Sequence, residues 1–174
     1  MSGEQQSDPK LVRDLMTVGV FTCQQDTPVV DLARVMQEKE IEGAVVLDKE
    51  GHAVGVVTYN ELVAAYGLGK YQEQTAEDIM MPGVPQVPPD IPLGAAAQIM
   101  QDQGIRVLFL MHNAGGIIYP AAFLSYKHFL RHMTKREDDD LKDLGIHADR
   151  KSPMDYYLER REAARRKNLP KEKS

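Results

Sequence analysis

The stretch Val12-Arg-Asp-Leu-Met-Thr-Val-Gly-Val20 returns as Ala76-Glu-Asp-Ile-Met-Met-Pro-Gly-Val84, and that return decides the fold. Extended to Val12–Leu47 over Ala76–Met111, the ungapped shift of 64 residues leaves ten of 36 positions identical. Asp14 meets Asp78, Met16 meets Met80, Gly19 and Val20 meet Gly83 and Val84, and Asp26 meets Asp90. Pro28 meets Pro92, Ala33 meets Ala97, Met36 and Gln37 meet Met100 and Gln101, and Ile41 meets Ile105. A self-match at a fixed offset means two copies of one supersecondary unit.

Outward from the match, both copies follow one plan. A leader (residues 12–16 or 76–80) precedes a short extended piece ending near Cys23 or Val87. Pro28 or Pro92 opens a helix, a position that suits proline because its missing N–H has no intrahelical partner there. Asp26, Thr27 and Asp90 are the expected capping acceptors. Val29, Leu32, Ala33 and Met36 recur as Leu93, Ala96, Ala97 and Met100, at the spacing of one buried helical face. The apolar runs 44–47 and 107–111 are too short for a helix and predict buried strands. Turns around 48–51 and 112–116 lead into return strands over 53–57 and 117–124, and closing helices are predicted near 60–66 and 126–133. The second return is three residues longer and holds Pro120, which predicts an edge position or a bulge. The expected fold class is α/β (α+β): two β-α-β-β-α units packed about a pseudo-two-fold axis, because one unit alone buries little core.

Composition narrows the function classes. The chain has 174 residues, 43% apolar, with a net charge of −5, which argues against a general nucleic-acid binder. Its single cysteine, Cys23, allows no intrachain disulfide and suits a reducing cytoplasm. Residues 1–10 are polar and are expected to be a flexible N-terminus. No run approaches the roughly 18 apolar residues of a membrane span. A Walker A loop, a GxGxxG turn and a nucleophile–base constellation are all absent from the sequence, so no catalysis is expected.

With this plan in view, the sequence resembles the CBS family in its paired (Bateman) form. The resemblance is carried by Val12-Arg-Asp-Leu-Met16, Asp26-Thr-Pro28, Ile41-Glu-Gly-Ala-Val-Val-Leu-Asp48 and Gly55-Val-Val-Thr-Tyr-Asn-Glu-Leu62 in the first copy. In the second it is carried by Ala76-Glu-Asp-Ile-Met80, Asp90-Ile-Pro92, Gly104-Ile-Arg-Val-Leu108 and Ala122-Phe-Leu-Ser-Tyr-Lys-His-Phe129. The match covers about residues 11–134, divided as 11–69 and 70–134.

The resemblance implies two related clefts that bind an adenine nucleotide (AMP, ADP or ATP) or S-adenosylmethionine, with no cofactor required. It implies Thr58 and Ser125 near the ligand phosphate, and Glu61 and His128 at the position that binds the ribose hydroxyls. Glu61 is one methylene longer than the family's aspartate, and a neutral His128 offers only one acceptor. Ala122 stands where the first copy has Gly55. Just before the second strand, where the family often holds a basic phosphate contact, the residues are Arg106 and Glu42. The resemblance groups Thr27, Arg106, Ser125 and His128 in one cleft. It groups Thr58, Glu61 and Glu42 in the other, where Ile91 replaces the threonine.

Blander readings run alongside. Thr58 with Glu61 also forms a capping box that needs no ligand. His128 and His132 lie at i, i+4 spacing and could bind a metal, but an exposed helix face is the expected reading. Cys23 is expected to be a buried, inert thiol. Residues 135–174 are expected to be a charged linker followed by a helix opened by Ser152 and Pro153, with Met154, Tyr157 and Leu158 resting on the core or on a dimer mate. The expectation is a cytoplasmic, homodimeric regulatory module with no membrane or nucleic-acid partner. The rival is an interaction scaffold with degenerate clefts that captures a protein partner through its C-terminal helix.

Overall fold

The computed structural model describes residues 10–134 and 157–163. In the first copy the elements are α1 (Val12–Leu15), β1 (Thr17–Val18), β2 (Thr22–Gln24), α2 (Val29–Glu38), β3 (Gly43–Leu47), β4 (Ala53–Thr58) and α3 (Tyr59–Leu68). In the second they are α4 (Ala76–Ile79), β5 (Met81–Pro82), α5 (Leu93–Gln103), β6 (Val107–Ala114), β7 (Ile117–Ser125) and α6 (Tyr126–Thr134). The strands form two sheets, ordered β2-β3-β4-β5 and β1-β7-β6.

Period-two alternation explains the layering. Along β3, Val45 and Leu47 face the other sheet, while Ala44 and Val46 face α2. Along β6, Val107 and Phe109 turn inward and Leu108 turns toward α5. The inter-sheet core thus holds Val45, Leu47, Val56, Val107, Phe109, Tyr119 and Ala121. Helices α2 and α5 cover the outer faces through Leu32 and Met36, and through Leu93, Ala96 and Met100. The repeat counterparts Gly43 and Val107 meet where the sheets approach: a Cβ on Gly43 would lie 3.4 Å from a Val107 methyl.

Each leader packs on the opposite copy. Val12 and Leu15 join Leu93, Met100 and Leu124, whereas Ala76 joins Cys23, Leu32 and Val57. The backbone bonds repeat about the axis. Val12 N–H donates to Ile91 O at 3.0 Å and Ala76 N–H to Thr27 O at 2.8 Å; Arg13 N–H donates to Pro89 O and Glu77 N–H to Gln25 O, both at 3.0 Å. Strand β1 pairs with β7 (Val18 with Ala122) and β5 pairs with β4 (Pro82 with Gly55). A β-carbon on Gly55 would sit 2.6 Å from Met80 Sδ, so this glycine admits the exchanged leader.

The identical residues now have physical causes. Asp14 and Asp78 each accept the N–H of the residue before their single-turn helix, Leu11 and Thr75, at 2.8 Å. Gly19 and Gly83 hold φ of +92° and +77°, a region costly for any other residue.

Some sequence expectations need correction. Pro28 and Pro92 are themselves the N-cap residues of α2 and α5, and neither cap carries a side-chain bond. Thr27 Oγ1 instead accepts Gln24 N–H at 3.0 Å, and Asp90 pairs with Arg13 at 2.6 Å. Pro120 does lie at a bulge, where the register slips between Leu110 and Met111. Its strand β7 is central in its sheet, but β1 reaches only Ala122 and Phe123, so the proline's missing N–H breaks no ladder bond to β1. The helix start expected at Ser152 and Pro153, with Met154, the linker and residues 1–9 all lie outside the described residues. Residues 157–163 are helical, and Tyr157 stacks on Tyr119 with ring centroids 5.3 Å apart.

Candidate functional site

The end of β4 turns directly into α3, and Thr58 is the N-cap. Its backbone N–H donates to Glu61 Oε2 at 2.8 Å and its hydroxyl donates to the same oxygen at 2.5 Å, while Asn60 N–H donates to Thr58 Oγ1 at 3.2 Å. Thr58 and Glu61 are both half-buried. The structure therefore builds the capping box and, with the same two residues, places a carboxylate and a hydroxyl together at the positive end of a helix.

The counterpart at the end of β7 has a different chemistry. His128 fills the place of Glu61, and its Nδ1 accepts Ser125 N–H at 2.9 Å. An accepting Nδ1 puts the proton on Nε2, which donates to Thr17 Oγ1 at 2.8 Å. Burial, and then the positive Arg131 nearby, lower the His128 pKa from 6.5 to about 4. The expectation of an exposed helix face fails for His128, which is 5% exposed. Both its nitrogens are committed, which argues against the metal pair with His132.

Ser125 is fully buried, and its hydroxyl donates to the Glu42 carboxylate. This overturns the expected grouping of Glu42 with Thr58 and Glu61. Because Gly43 packs against Val107 across the sheets, the residue preceding β3 reaches over to the end of β7. Glu42 thus faces the opposite copy, a contact that residue spacing within one copy does not reveal. Arg106 holds the equivalent position before β6 and is exposed. Thr27 is half-buried, with its hydroxyl in a turn of its own copy and its carbonyl on the second leader.

Two further chemistry-bearing groups lie among the described residues. Burial pushes the Cys23 thiol up to about 12, so it stays protonated and inert. Asp48, Glu50 and His52 converge at the β3–β4 turn, where Asp48 accepts both the amide and the ring of His52 at 2.8 and 3.2 Å. No described helix is long and apolar enough to cross a membrane.

The CBS domain family matches residues 12–67 and 76–135, the two copies found as a repeat. The chain belongs to the CBS domain family. The solved CBS domain pair of protein MJ0100, in complex with 5′-methylthioadenosine and S-adenosyl-L-methionine, aligns with a TM-score of 0.61 at 19% identity, covering 71% of this chain and 99% of that one. An uncharacterized conserved protein of Pyrococcus horikoshii gives a TM-score of 0.63 at 19% identity over 78% and 100%. CBSX2 in complex with AMP gives 0.56 at 25% identity over 71% and 95%. Among curated proteins, an uncharacterized protein of Methanopyrus kandleri is 30% identical over 101 residues, which is 57% of this chain and 52% of that one. The homoserine O-acetyltransferase of Methanohalobium evestigatum is 30% identical over 97 residues, 56% of this chain and 19% of the enzyme. The match thus spans about half of the first curated relative and about a fifth of the second.

Proposed function

We propose that this CBS pair is a non-catalytic regulatory module that binds an adenine nucleotide or a related adenosyl ligand, at one site per chain. The observation that carries the reading is the half-buried Thr58/Glu61 pair at the N-terminus of α3, set against a fully buried Ser125. A carboxylate accepts from both ribose hydroxyls, and a hydroxyl at a helix N-terminus favours an anion. On this reading the pseudo-two-fold counterpart of the Glu42–Ser125 contact sets Arg106 toward Thr58, where a guanidinium suits a phosphate. Two structural relatives, CBSX2 with AMP and the MJ0100 pair with S-adenosyl-L-methionine, support the ligand class. Thr27, Ser125 and His128 serve on this reading as structural residues of the second, closed cleft.

The closing helices support a homodimer. Val63 and Tyr66 of α3 are each 70% exposed, and their counterparts Leu130 and Met133 of α6 are 59% and 77% exposed. Two matched apolar faces per chain suit a second copy of the same chain. A cytoplasmic setting accords with the single buried thiol.

A thermal-shift panel of AMP, ADP, ATP and S-adenosylmethionine, followed by calorimetry on any hit, tests the reading. Saturable stabilisation lost in Glu61→Ala and Arg106→Ala is the expected result. No stabilisation by any adenine compound at millimolar concentration sinks it. The same apolar faces also suit the dimer of the second reading, a scaffold that captures a protein partner through its C-terminal helix. In that case removal of the residues after Met133 abolishes capture while the core stays folded.

A further inference from the structure

The structure assigns a second anion seat at the N-terminus of α6, and shows that the chain's own Glu42 carboxylate already fills it. Three features make the seat. The Ser125 hydroxyl donates to a carboxylate that arrives from the other copy, 83 residues away in sequence. That hydroxyl lies at the start of a nine-residue helix, whose free N–H groups carry the positive end of the dipole. Ser125 is wholly buried, and beside it His128 accepts the Ser125 N–H and donates to Thr17, so Glu42 is the anion that this hydroxyl meets.

Comparison with the first copy gives the contact its meaning. The residue in Glu42's place there is Arg106, of opposite charge, and Thr58 and Glu61 remain half-buried. One sheet junction thus carries its own anion, whereas Arg106, the residue at the equivalent place in the other copy, is an exposed cation. Two juxtaposed anions repel strongly where water is excluded, so a phosphate and Glu42 cannot share the Ser125 seat. The chain therefore limits itself to one phosphate-bearing ligand, and Glu42 is the device that does so. This inference rests on the reading that the Thr58 cleft takes such a ligand.

Titration calorimetry with AMP on the full-length chain and on Glu42→Ala tests both and separates them. The expected result is one AMP per chain for the native protein and two for Glu42→Ala, with the added event lost again in Glu42→Ala/Ser125→Ala. The added site should bind at least roughly tenfold more tightly than any second event in the native chain. One AMP for both proteins overturns the seat and leaves the Thr58 reading standing. None for the native chain and one for the variant removes AMP as the ligand of the Thr58 cleft and keeps the seat. Two for the native chain, or none for both proteins, overturns the seat. If Glu42→Ala does not fold, as judged by its thermal transition, Glu42→Gln is scored in its place, since it removes the charge and keeps a partner for Ser125.

Discussion

The carboxylate of Glu42, just before β3, accepts the hydroxyl of Ser125 at the end of β7, joining the two copies through one part-buried hydrogen bond. Ser125→Ala leaves that carboxylate without its donor and should cost about 1–2 kcal/mol of stability. Urea denaturation of Ser125→Ala, Glu42→Gln and the double variant measures the coupling. Additive effects would show that the contact contributes nothing to holding the copies together.

His128 makes stability depend on pH in a definite direction. Its pKa falls from 6.5 to about 4 on folding, chiefly because the ring is buried. The unfolded chain therefore takes up the proton first as pH falls. Stability held by the neutral ring is present in full above about pH 6.5 and is lost between there and about pH 4, to at most roughly 3 kcal/mol. Urea midpoints at pH 7.5 and pH 4.5 should fall further for the native chain than for His128→Gln. An equal fall in both would assign the acid sensitivity to other groups.

Glu61 has two roles that substitution can divide. Glu61→Ala removes half of the capping box and should cost about 1 kcal/mol. Glu61→Gln keeps an acceptor for Thr58 N–H and most of the stability, but it loses the charged acceptor, weakening AMP by about tenfold or more. Unchanged AMP affinity in Glu61→Ala, beside a measurable stability loss, would leave Glu61 as a cap and nothing else.

The C-terminal helix is part of the core and not an appendage to it. Tyr157 is 2% exposed in the inter-sheet core, and its hydroxyl donates to the Gly51 carbonyl. Arg161 Nε donates to Glu50 O at 3.0 Å, and the Arg160 guanidinium lies 5.4 Å from the Phe21 ring centre. Tyr157→Ala should cost about 3 kcal/mol and Tyr157→Phe about 1 kcal/mol. A chain ending at residue 134 should show at least the larger loss by urea denaturation. A truncated chain as stable as the full one would show that the helix rests on the sheets without holding them.

The repeat, the element order and the family were legible because each depends on local pattern. Met36 and Met100 lie at helical spacing from Leu32 and Ala96, and all four prove buried. The Thr58/Glu61 pair was legible for the same reason, since three residues separate its members on one helical turn. Thr27 was expected to help cap α2, but its hydroxyl is drawn into its own turn by the Gln24 N–H.

The sequence by itself determined that two copies of one β-α-β-β-α unit pack as a CBS pair, because periodicity and turn chemistry act over a few residues. Only the tertiary structure decided that each leader crosses to the other copy, that Glu42 meets Ser125, and that Tyr157 enters the core. Those contacts join residues 76 to 27, 42 to 125 and 157 to 51. They arise from burying two sheets against each other about a pseudo-two-fold axis, and no short-range pattern encodes which side chain then faces which.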